Sequence, residues 1–432
     1  MKIVIVGNFL FPFGSASASR MRYFARGLKE AGAQVRVISQ VEISDRKADL
    51  KEDGNRYYMD IPYESVVGFS YGHREKRSFF DRIKWHQTWR KGIGRASDRV
   101  EQLLKEKQAD VVIQYTISHA ALKEFNRLKE RYDFVLIRDI VEWPGVNYFR
   151  GGILNPYFLD CQIGARFSVV KSDGVIGISR FLTDFYNKRG TKSICIPAVI
   201  EVPDELRLKE TGGDAFSAPF NVVYLGGMGH RDGPFEMLGA VKSLLLQNYN
   251  VEFNIVGSAG LAGQALKARK YCESDGLLRN KVNFLGRVSD DEVRQRLHEA
   301  DALLFIRPDD VTAKAAFPTR LPEYLISGCP VITASVGDIP LYLKDRIDAM
   351  VIRPANAETI AKGLEELINM PDHGRHIAMS AWRRAQKYFN YKTRTQEIYK
   401  FIREIMSRRS TERYGKTWFS YRLGGSGRSQ NG

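Results

Sequence analysis

The sequence lacks the features that define several common classes of protein. It has no run of eighteen apolar residues, so we expect no transmembrane helix. Its four cysteines are scattered without metal-ligand spacing, which favours reduced thiols in a cytosol over a zinc site. It has no zinc-finger spacing, basic zipper or aromatic RNA-binding signature, so we expect no nucleic-acid partner. The opening MKIVIVG leads straight into a predicted strand and is not typical of a signal peptide.

Two familiar nucleotide-site motifs are also missing. The loop after the first predicted strand lacks the GxGxxG fingerprint of dinucleotide-binding folds. Asp309 and Asp310 are adjacent, so they do not form the metal-binding Asp-x-Asp motif, and we interpret them as part of a loop. The sequence therefore predicts no dinucleotide cofactor and no metal site at these positions.

Positive charge is plentiful but unevenly distributed. Residues 1–200 hold 33 Lys and Arg against 22 Asp and Glu, residues 201–407 hold 27 of each, and residues 408–432 hold six against one. The net charge of +16 therefore belongs to the first half and the tail. This asymmetry indicates an anionic partner for the first half: a membrane surface, a lipid diphosphate or an acidic glycan.

The basic residues are densest in residues 73–95, where eight Lys and Arg are mixed with aromatic side chains. Phe79, Ile83 and Phe80 are spaced to share one face of an amphipathic helix with basic residues around it, and Trp85 and Trp89 are further aromatic residues of the segment. Such helices are typical of anionic membrane surfaces. A solvated helix whose aromatic residues pack onto its own domain fits the same pattern, and the segment alone does not separate the two.

Strands and helices are predicted to alternate along the chain, twice over. The predicted strand segments are Lys2–Gly7, Gln34–Ser39, Asp110–Thr116, Phe134–Ile140, Gly174–Arg180 and Ile194–Pro197, then Phe220–Leu225, Val251–Val256, Lys281–Leu285, Ala302–Ile306 and Val331–Ile332. The polar stretch 203–218 between the two sets predicts a linker. With 432 residues, the chain is predicted to form an α/β fold of two domains with parallel sheets.

The stretch Phe317–Thr333 carries the strongest functional signal. Pro318 sets a turn, Thr319 is predicted to cap a helix over Leu321–Ser327, and Glu323 lies in its first turn. Backbone N–H groups at a helix start attract anions. Phosphates would bind there and at Arg320, while the carboxylate would accept hydrogen bonds from ribose hydroxyls. An ordinary loop–helix–strand connection is the alternative.

From Glu323 the chain reads Glu-Tyr-Leu-Ile-Ser-Gly-Cys-Pro-Val-Ile. This run resembles the donor-site signature of the group 1 retaining glycosyltransferases, whose GT-B fold has two Rossmann-like domains facing each other across a cleft. The Phe317 turn is similar to one branch of that family. The family's signature begins with an acid that seven residues separate from the second acid, and here that position is Ala315.

The resemblance extends over residues 1 to about 406. It implies transfer of a sugar from a nucleotide-diphosphate sugar to a hydroxyl of a glycan or lipid-linked acceptor, with retention and without metal or cofactor. It also implies a cytoplasmic enzyme of cell-surface glycan or glycolipid synthesis, with peripheral attachment to the inner face of the membrane left open. The implied domains are an acceptor-side domain at 1–204 with a crossing helix at about 390–407, a donor domain at 205–389 and a disordered basic tail at 408–432.

The same resemblance implies the donor-site residues. They are Gly14, Ser15, Gly226, Gly227, Gly257, Arg287, Val288, Phe317, Pro318, Thr319 and Glu323. Relatives place an Arg after the first Gly of the second domain and a Lys before the next helix, where this chain has Gly227 and Asp232. We therefore expect Arg231 and Arg320 to supply the positive charge, and we assign them, with Asp139, as catalytic.

The acceptor side is predicted after the strand Phe134–Ile140. Asp139 and Glu142 are three residues apart there, at the carboxyl end of a strand, where ligands bind in open α/β sheets. The segment resembles the stretch that borders the acceptor in the family, and His119 is a third candidate. The alternatives are a salt-bridged loop for the acids and a structural role for the histidine.

Two other functions remain open at this level. A nucleotide-sugar epimerase can share the two-domain fold. A non-catalytic nucleotide-sugar-binding protein is suggested by the departures from the family at Ala315, Gly227 and Asp232.

Overall fold

The computed structural model describes residues 1–44, 46, 49–70, 79–146, 149, 151–209, 218–258 and 263–424, with backbone alone for 69–70, 79–86, 230 and 412–424. These residues form two α/β domains on parallel sheets, which confirms the predicted fold class. Within them, no helix is long and apolar enough to cross a membrane.

The first domain is built on an eight-stranded sheet. The domain has two further strands, β3 and β6, which form a small sheet of their own. All ten strands of the domain are β1 (Lys2–Gly7), β2 (Gln34–Ser39), β3 (Ile43–Ser44), β4 (Arg56–Tyr58), β5 (Ile61–Ser65), β6 (Phe69–Ser70), β7 (Val111–Tyr115), β8 (Val135–Ile140), β9 (Gly174–Gly177) and β10 (Ser193–Cys195). Its helices are α1 (Ala16–Glu30), α2 (Phe79–Lys105), α3 (His119–Arg131), α4 (Pro156–Ile163) and α5 (Arg180–Asn187). The sheet order is β10-β9-β8-β7-β1-β2-β5-β4, in which β4 alone is antiparallel to its neighbour, and β3 pairs with β6.

The central strand β1 shows why its continuous apolar run forms a strand covered on both faces. Ile3 and Ile5 pack with α1, while Val4 and Val6 pack with α2 and α3 on the opposite face. All four side chains are buried. The alternation of side chains along a strand thus divides one apolar run between two cores.

The second domain carries a six-stranded, fully parallel sheet. Its strands are β11 (Phe220–Leu225), β12 (Val251–Val256), β13 (Val282–Gly286), β14 (Ala302–Phe305), β15 (Val331–Ala334) and β16 (Met350–Ile352). Its helices are α6 (Pro234–Leu246), α7 (Gly263–Ser274), α8 (Asp290–Glu299), α9 (Val311–Ala315), α10 (Leu321–Leu325), α11 (Ile339–Tyr342), α12 (Ala357–Asn369) and α13 (Pro371–Phe389), followed by α14 (Tyr391–Gly424). The strand order is β13-β12-β11-β14-β15-β16.

The last helix returns to the first domain. Ile200 N–H donates to the carbonyl of Phe389 at 2.8 Å, and Tyr391 N–H donates to that of Ile200 at 2.9 Å. Beyond this crossing, α14 packs on α1 so closely that a Cβ on Gly27 would lie 2.0 Å from Thr395 Oγ1. A glycine at that position permits the close approach of the two helices.

Residues 408–424 continue α14, where the sequence predicted a disordered tail. Arg409 explains the first part of the difference, because its guanidinium binds Asp133 at 3.0 Å and Asp173 at 3.2 Å. These ion pairs join the helix to the first domain beyond the predicted end of the crossing helix. Residues 425–432 lie outside the described part of the chain.

Other differences from the predicted elements are local. The hairpin of β4 and β5 was not predicted, because the apolar pattern is broken by the turn at Met59 and Asp60, both of positive φ. The helix at Leu321 is shorter than predicted, and Arg320 occupies the N-cap position expected for Thr319, without a side-chain hydrogen bond that caps the helix. Gly328, predicted to end this helix, adopts a φ of +85°.

One buried ion pair joins three parts of the first domain. The guanidinium of Arg20, on α1, donates to both carboxylate oxygens of Asp139, on β8, at 2.9 and 2.8 Å. It also donates to the carbonyls of Ile196 at 3.1 Å and Pro197 at 2.8 Å, after β10. Both side chains are almost fully buried, at 4% and 0% exposure. The helix, the strand and the segment that leaves the domain are therefore held by one guanidinium.

We predict that Asp139→Asn lowers the free energy of unfolding of the first domain by about 3–5 kcal/mol, because it leaves the Arg20 charge buried and uncompensated. Glu201→Gln is the matched control, since Glu201 forms an equally bidentate but partly exposed pair with Arg26. We expect that control to cost less than about 1 kcal/mol. Urea denaturation measures both, and equal losses would contradict the structural role of the buried pair.

Candidate functional site

Charged residues from the two domains meet at the carboxyl ends of their strands. Glu142, after β8, interacts electrostatically with Arg231, after β11. Arg22 of α1 interacts in the same way with Glu323 of α10. Ligands of open α/β sheets bind at this edge. The loops between the domains therefore form the candidate site, a cleft with one wall from each domain.

The wall from the second domain is organised around Arg320. Its Nη1 donates to Tyr224 Oη at 3.3 Å and lies 3.8 Å from Asp232 Oδ1. A Cβ on Gly226 would lie 2.4 Å from the same Nη1, and Gly226 has a φ of +151°. The glycine thus lets the guanidinium lie directly against the backbone of the loop after β11. The structure brings together two residues predicted for the donor site, Gly226 and Arg320.

Asp232 explains one departure from the family. Its carboxylate accepts from Gly229 N–H at 2.9 Å, and the residue is buried. The same carboxylate faces Arg320 at 3.8 Å. Where relatives carry a Lys, this chain therefore has an acid that holds the loop and positions the arginine. Gly227 leaves open space beside it, since no atom lies within 4 Å of a Cβ built there.

Glu323 is an acid without an internal partner. In the described part of the chain, its carboxylate makes no hydrogen bond or salt bridge, and burial raises its pKa. The next residue fixes the short helix, because Tyr324 Oη accepts from Leu225 N–H at 2.7 Å. The carboxylate is thus held in place at the cleft while its own oxygens stay available to a ligand.

Three more residues predicted for the donor site, Gly257, Arg287 and Val288, lie in the neighbouring loops after β12 and β13. Arg287 is exposed, donates to Ser258 Oγ at 2.7 Å, and follows the Gly286 carbonyl that accepts from Gly257 N–H at 2.7 Å. Val288 is half-buried against the second domain's core. These residues form the rim of one loop pair.

Phe317 does not lie in the cleft, contrary to the prediction. Its ring is buried between Tyr342 and Phe389, with both ring centroids at 5.5 Å. Pro318 is buried and Thr319 is exposed. The aromatic residue of the Phe-Pro-Thr turn therefore supports the turn from behind, because aromatic contacts with α11 and α13 bury it.

Ala315 stands where the family has its first acid. It is fully buried at the end of α9, and its carbonyl accepts from Ser179 Oγ of the first domain at 2.7 Å. Beside it, Arg180 N–H donates to Asp338 Oδ2 at 2.6 Å. A carboxylate at position 315 would be buried in this contact between the domains, which disfavours an acid there.

The wall from the first domain begins with the loop after β1. Gly14 has a φ of +109°, and Ser15 caps α1 by accepting from Ala18 N–H at 3.1 Å. The N-terminus of a 15-residue helix therefore opens into the loop. Such helix starts favour anions, so the geometry fits the role predicted for Gly14 and Ser15.

Of the three predicted acceptor-side residues, only Glu142 faces the cleft. Its side chain is accessible to solvent, but the surrounding protein partly desolvates the carboxylate and raises its pKa, an effect that Arg231 partly offsets. Both oxygens of Asp139 are engaged by Arg20, so its assignment as a catalytic and acceptor residue is corrected to a positioning one. His119 begins α3 and bonds Ser168 Oγ through Nδ1 at 2.7 Å, which is a structural contact.

Two tyrosines that interact with Glu142 were missed by the sequence analysis. Tyr115 ends β7, bonds Ser17 and interacts electrostatically with Glu142. Tyr157, on α4, also interacts with Glu142. Burial raises the pKa of both phenols, so they remain hydrogen-bond donors. The position of Tyr115 at a strand end was a usable signal, whereas Tyr157 reaches the site only through the packing of α4.

The acids at 309 and 310 form a loop, as interpreted. Asp310 caps α9 by accepting from Thr312 N–H at 2.9 Å and Ala313 N–H at 2.8 Å. Among the residues that the structure describes, no three His, Cys, Asp or Glu side chains are grouped to hold a metal ion.

Comparison with known sequences gives a match to one family. Residues 214–384 match the family described as "Glycosyl transferases group 1". An uncharacterized glycosyltransferase of Methanocaldococcus jannaschii is 24% identical over 190 residues, which are 43% of this chain and 46% of that protein. The chain thus matches about half of the length of this curated relative.

Solved structures similar to the chain span nearly its whole length. Sucrose-phosphate synthase of Thermosynechococcus elongatus has a TM-score of 0.70 at 14% identity, with 94% of this chain and 100% of that chain covered. HepE of Anabaena, solved with UDP and glucose, has a TM-score of 0.65 at 16% identity, with 93% and 99% covered. At these identities the likeness shows the fold, which is GT-B. The second domain of this chain thus matches the group 1 glycosyltransferase family, and the whole chain has the two-domain GT-B fold.

Proposed function

We propose that the protein transfers a sugar from a nucleotide-diphosphate sugar to an acceptor hydroxyl with retention of configuration. The observation that carries the proposal is that two charged groups lie in one cleft. The first is the carboxylate of Glu323, which has no hydrogen-bond or salt-bridge partner among the described residues, and the second is the guanidinium of Arg320. The first suits ribose hydroxyls and the second suits a diphosphate. The related fold of Anabaena HepE, solved with UDP and glucose, supports a ligand of this class.

The donor would lie between the N-terminus of α1 in the first domain and that of α10 in the second. In this arrangement Glu323 accepts from the ribose hydroxyls, and the loop at Arg287 and Val288 borders the base. Arg320 and Arg231 bind the diphosphate together with backbone N–H groups near Gly226. Charge-assisted hydrogen bonds are about twice as strong as neutral ones, so these groups dominate the affinity.

The reaction needs stabilisation of the leaving diphosphate. Preorganised cations and helix starts in a cleft supply such stabilisation at no reorganisation cost during the reaction. Arg320 is preorganised by Tyr224 and Asp232, at 3.3 and 3.8 Å. We propose that the departing phosphate oxygen takes the acceptor proton, so that neither a protein base nor a bound metal is required.

The acceptor would bind at the first-domain wall. Glu142, flanked by Tyr115 and Tyr157, is placed to accept a hydrogen bond from an acceptor hydroxyl. We propose a glycan or lipid-linked acceptor and a role in cell-surface glycan or glycolipid synthesis on the cytoplasmic side, because the charge of this half suits an anionic partner.

A thermal-shift screen with nucleotide sugars, followed by mass spectrometry with and without acceptors, tests the proposed function. We expect one donor to stabilise the protein, and the sugar to appear on an acceptor in the presence of EDTA. Conversion of the sugar without any acceptor would instead identify an epimerase. Binding without turnover across a broad acceptor panel would identify a non-catalytic protein, and loss of turnover in EDTA that a divalent ion restores would contradict the metal-free proposal.

Glu323→Gln should weaken binding of the nucleoside diphosphate by roughly 1.5–3 kcal/mol, because an amide is a poorer acceptor for two hydroxyls. Burial raises the pKa of Glu323, so wild-type affinity should fall as pH decreases through that raised value, and the variant should lose this dependence. Calorimetry at several pH values measures both effects. Glu358→Gln, another first-turn acid, is the control, and equal affinities of the Glu323 variant and wild type would refute the assignment.

Arg320→Ala and Arg231→Ala should reduce turnover more than they reduce binding of the nucleoside monophosphate, because each removes a cation from the diphosphate. A single such loss in a catalytic site costs about 10²–10³ in kcat. Arg269→Ala, on the exposed face of α7, is the matched control. Equal losses of affinity for mono- and diphosphates would remove the two arginines from this role.

A further inference from the structure

The helical segment 156–168 has two apolar faces. Phe158, Cys161 and Ala165 point inwards and are buried. A Cβ on Gly164 would lie 2.0 Å from the Ile117 carbonyl, so this side is in close contact with the start of α3. The packing therefore turns the opposite face of the segment towards solvent.

That opposite face is also apolar. Together with the preceding turn it exposes five large side chains, which we call the outward apolar face: Ile153, Leu154, Leu159, Ile163 and Phe167. Leu154 is 83% exposed and Phe167 is 64% exposed. Large exposed apolar patches on soluble proteins mark interaction sites.

Basic residues lie near both ends of this segment. Trp89 of α2 packs edge-on against Tyr157 with ring centroids 5.7 Å apart, which brings α2 beside the start of α4. The two residues after Trp89, Arg90 and Lys91, are exposed. On the segment itself, Arg166 is exposed beside Phe167, with its guanidinium 5.1 Å from the ring centre of Trp143.

The face also lies next to the acceptor side of the cleft. Gln162, on α4, donates to the carbonyl of Pro144 at 2.6 Å, two residues after Glu142. Tyr157, on the inner side of the segment, interacts electrostatically with Glu142. A surface that covered the outward apolar face would therefore border the cleft at its acceptor end.

We propose that the outward apolar face docks the protein on an anionic lipid bilayer. Apolar side chains inserted at the headgroup boundary, with bases beside them, are the combination that binds such surfaces. The net charge of +11 on residues 1–200 has the complementary sign. A lipid-linked acceptor would give this docking a purpose, and in that respect alone it rests on the proposed function.

For residues 73–95 the sequence left two interpretations open, contact with a membrane and packing onto the first domain. The suggestion that Trp89 inserts into a membrane is wrong, because its side chain is buried against Tyr157 and Ile93. Residues 73–78 and the side chains of Phe79, Ile83 and Trp85 lie outside the described part of the chain. Among the described residues, the apolar contribution therefore comes from 153–167, and Arg90 and Lys91 of α2 contribute charge.

Sedimentation of the full chain with vesicles tests the proposal. We expect binding to phosphatidylcholine vesicles that contain phosphatidylglycerol, little binding to pure phosphatidylcholine, and loss of binding at high salt. Leu154→Ser/Phe167→Ser should weaken binding by about tenfold or more. Arg90→Glu/Lys91→Glu should weaken it at low salt and remove most of the salt dependence.

The matched control is Leu246→Ser/Ile347→Ser, two exposed apolar residues of the second domain, which should bind vesicles like wild type. Thermal melting and nucleoside diphosphate affinity check that every variant is folded. No vesicle binding by wild type, or unchanged binding by Leu154→Ser/Phe167→Ser, would overturn the proposal, as would a dimer in sedimentation velocity that only those substitutions dissociate. Vesicle binding without any nucleotide binding would refute the proposed function and leave the docking intact.

Discussion

The buried ion pair between Arg20 and Asp139 is the constraint on which the first wall of the cleft depends. It joins α1 to β8 and, through the carbonyls of Ile196 and Pro197, to the segment that leaves the domain. The loop before α1 and the loop after β8 both border the cleft. A buried guanidinium is costly unless a carboxylate compensates its charge, so both loops depend on this one ion pair.

The second wall is organised by a looser network. Arg320 lies between Tyr224 and Asp232, and the guanidinium remains partly accessible, at 33% exposure. The charge of Arg320 is thus oriented but only partly compensated, whereas the charge of Arg20 is compensated by a buried salt bridge to Asp139. The contrast separates the arginine that holds the fold from the arginine that is placed to meet an anion. Glu323 and Glu142 complete the site as carboxylates whose pKa is raised by burial.

The same first domain carries both the proposed acceptor side of the cleft and the outward apolar face. One face of the segment 156–168 supports the start of α3, while the other exposes Leu159, Ile163 and Phe167. Because Gln162 on this segment donates to the carbonyl of Pro144, two residues after Glu142, the surface and the cleft belong to one structural unit. This arrangement suits an acceptor that is presented at a surface more than one that diffuses freely.

The alternation of strands and helices could be predicted from the sequence. Continuous apolar runs such as Lys2–Gly7 and Phe220–Leu225 favour strands that are buried on both faces. The sequence also indicated Glu323 and Arg320, whose roles depend on a short helix start within one stretch. Only the tertiary structure decided which side chains are already engaged in contacts within the protein. Asp139 is neutralised by a residue 119 positions away, and Phe317 packs against a ring of α13. Periodicity shows that a helix has an apolar face, but only its neighbours decide whether that face is covered, as for Trp89, or left exposed, as for Phe167.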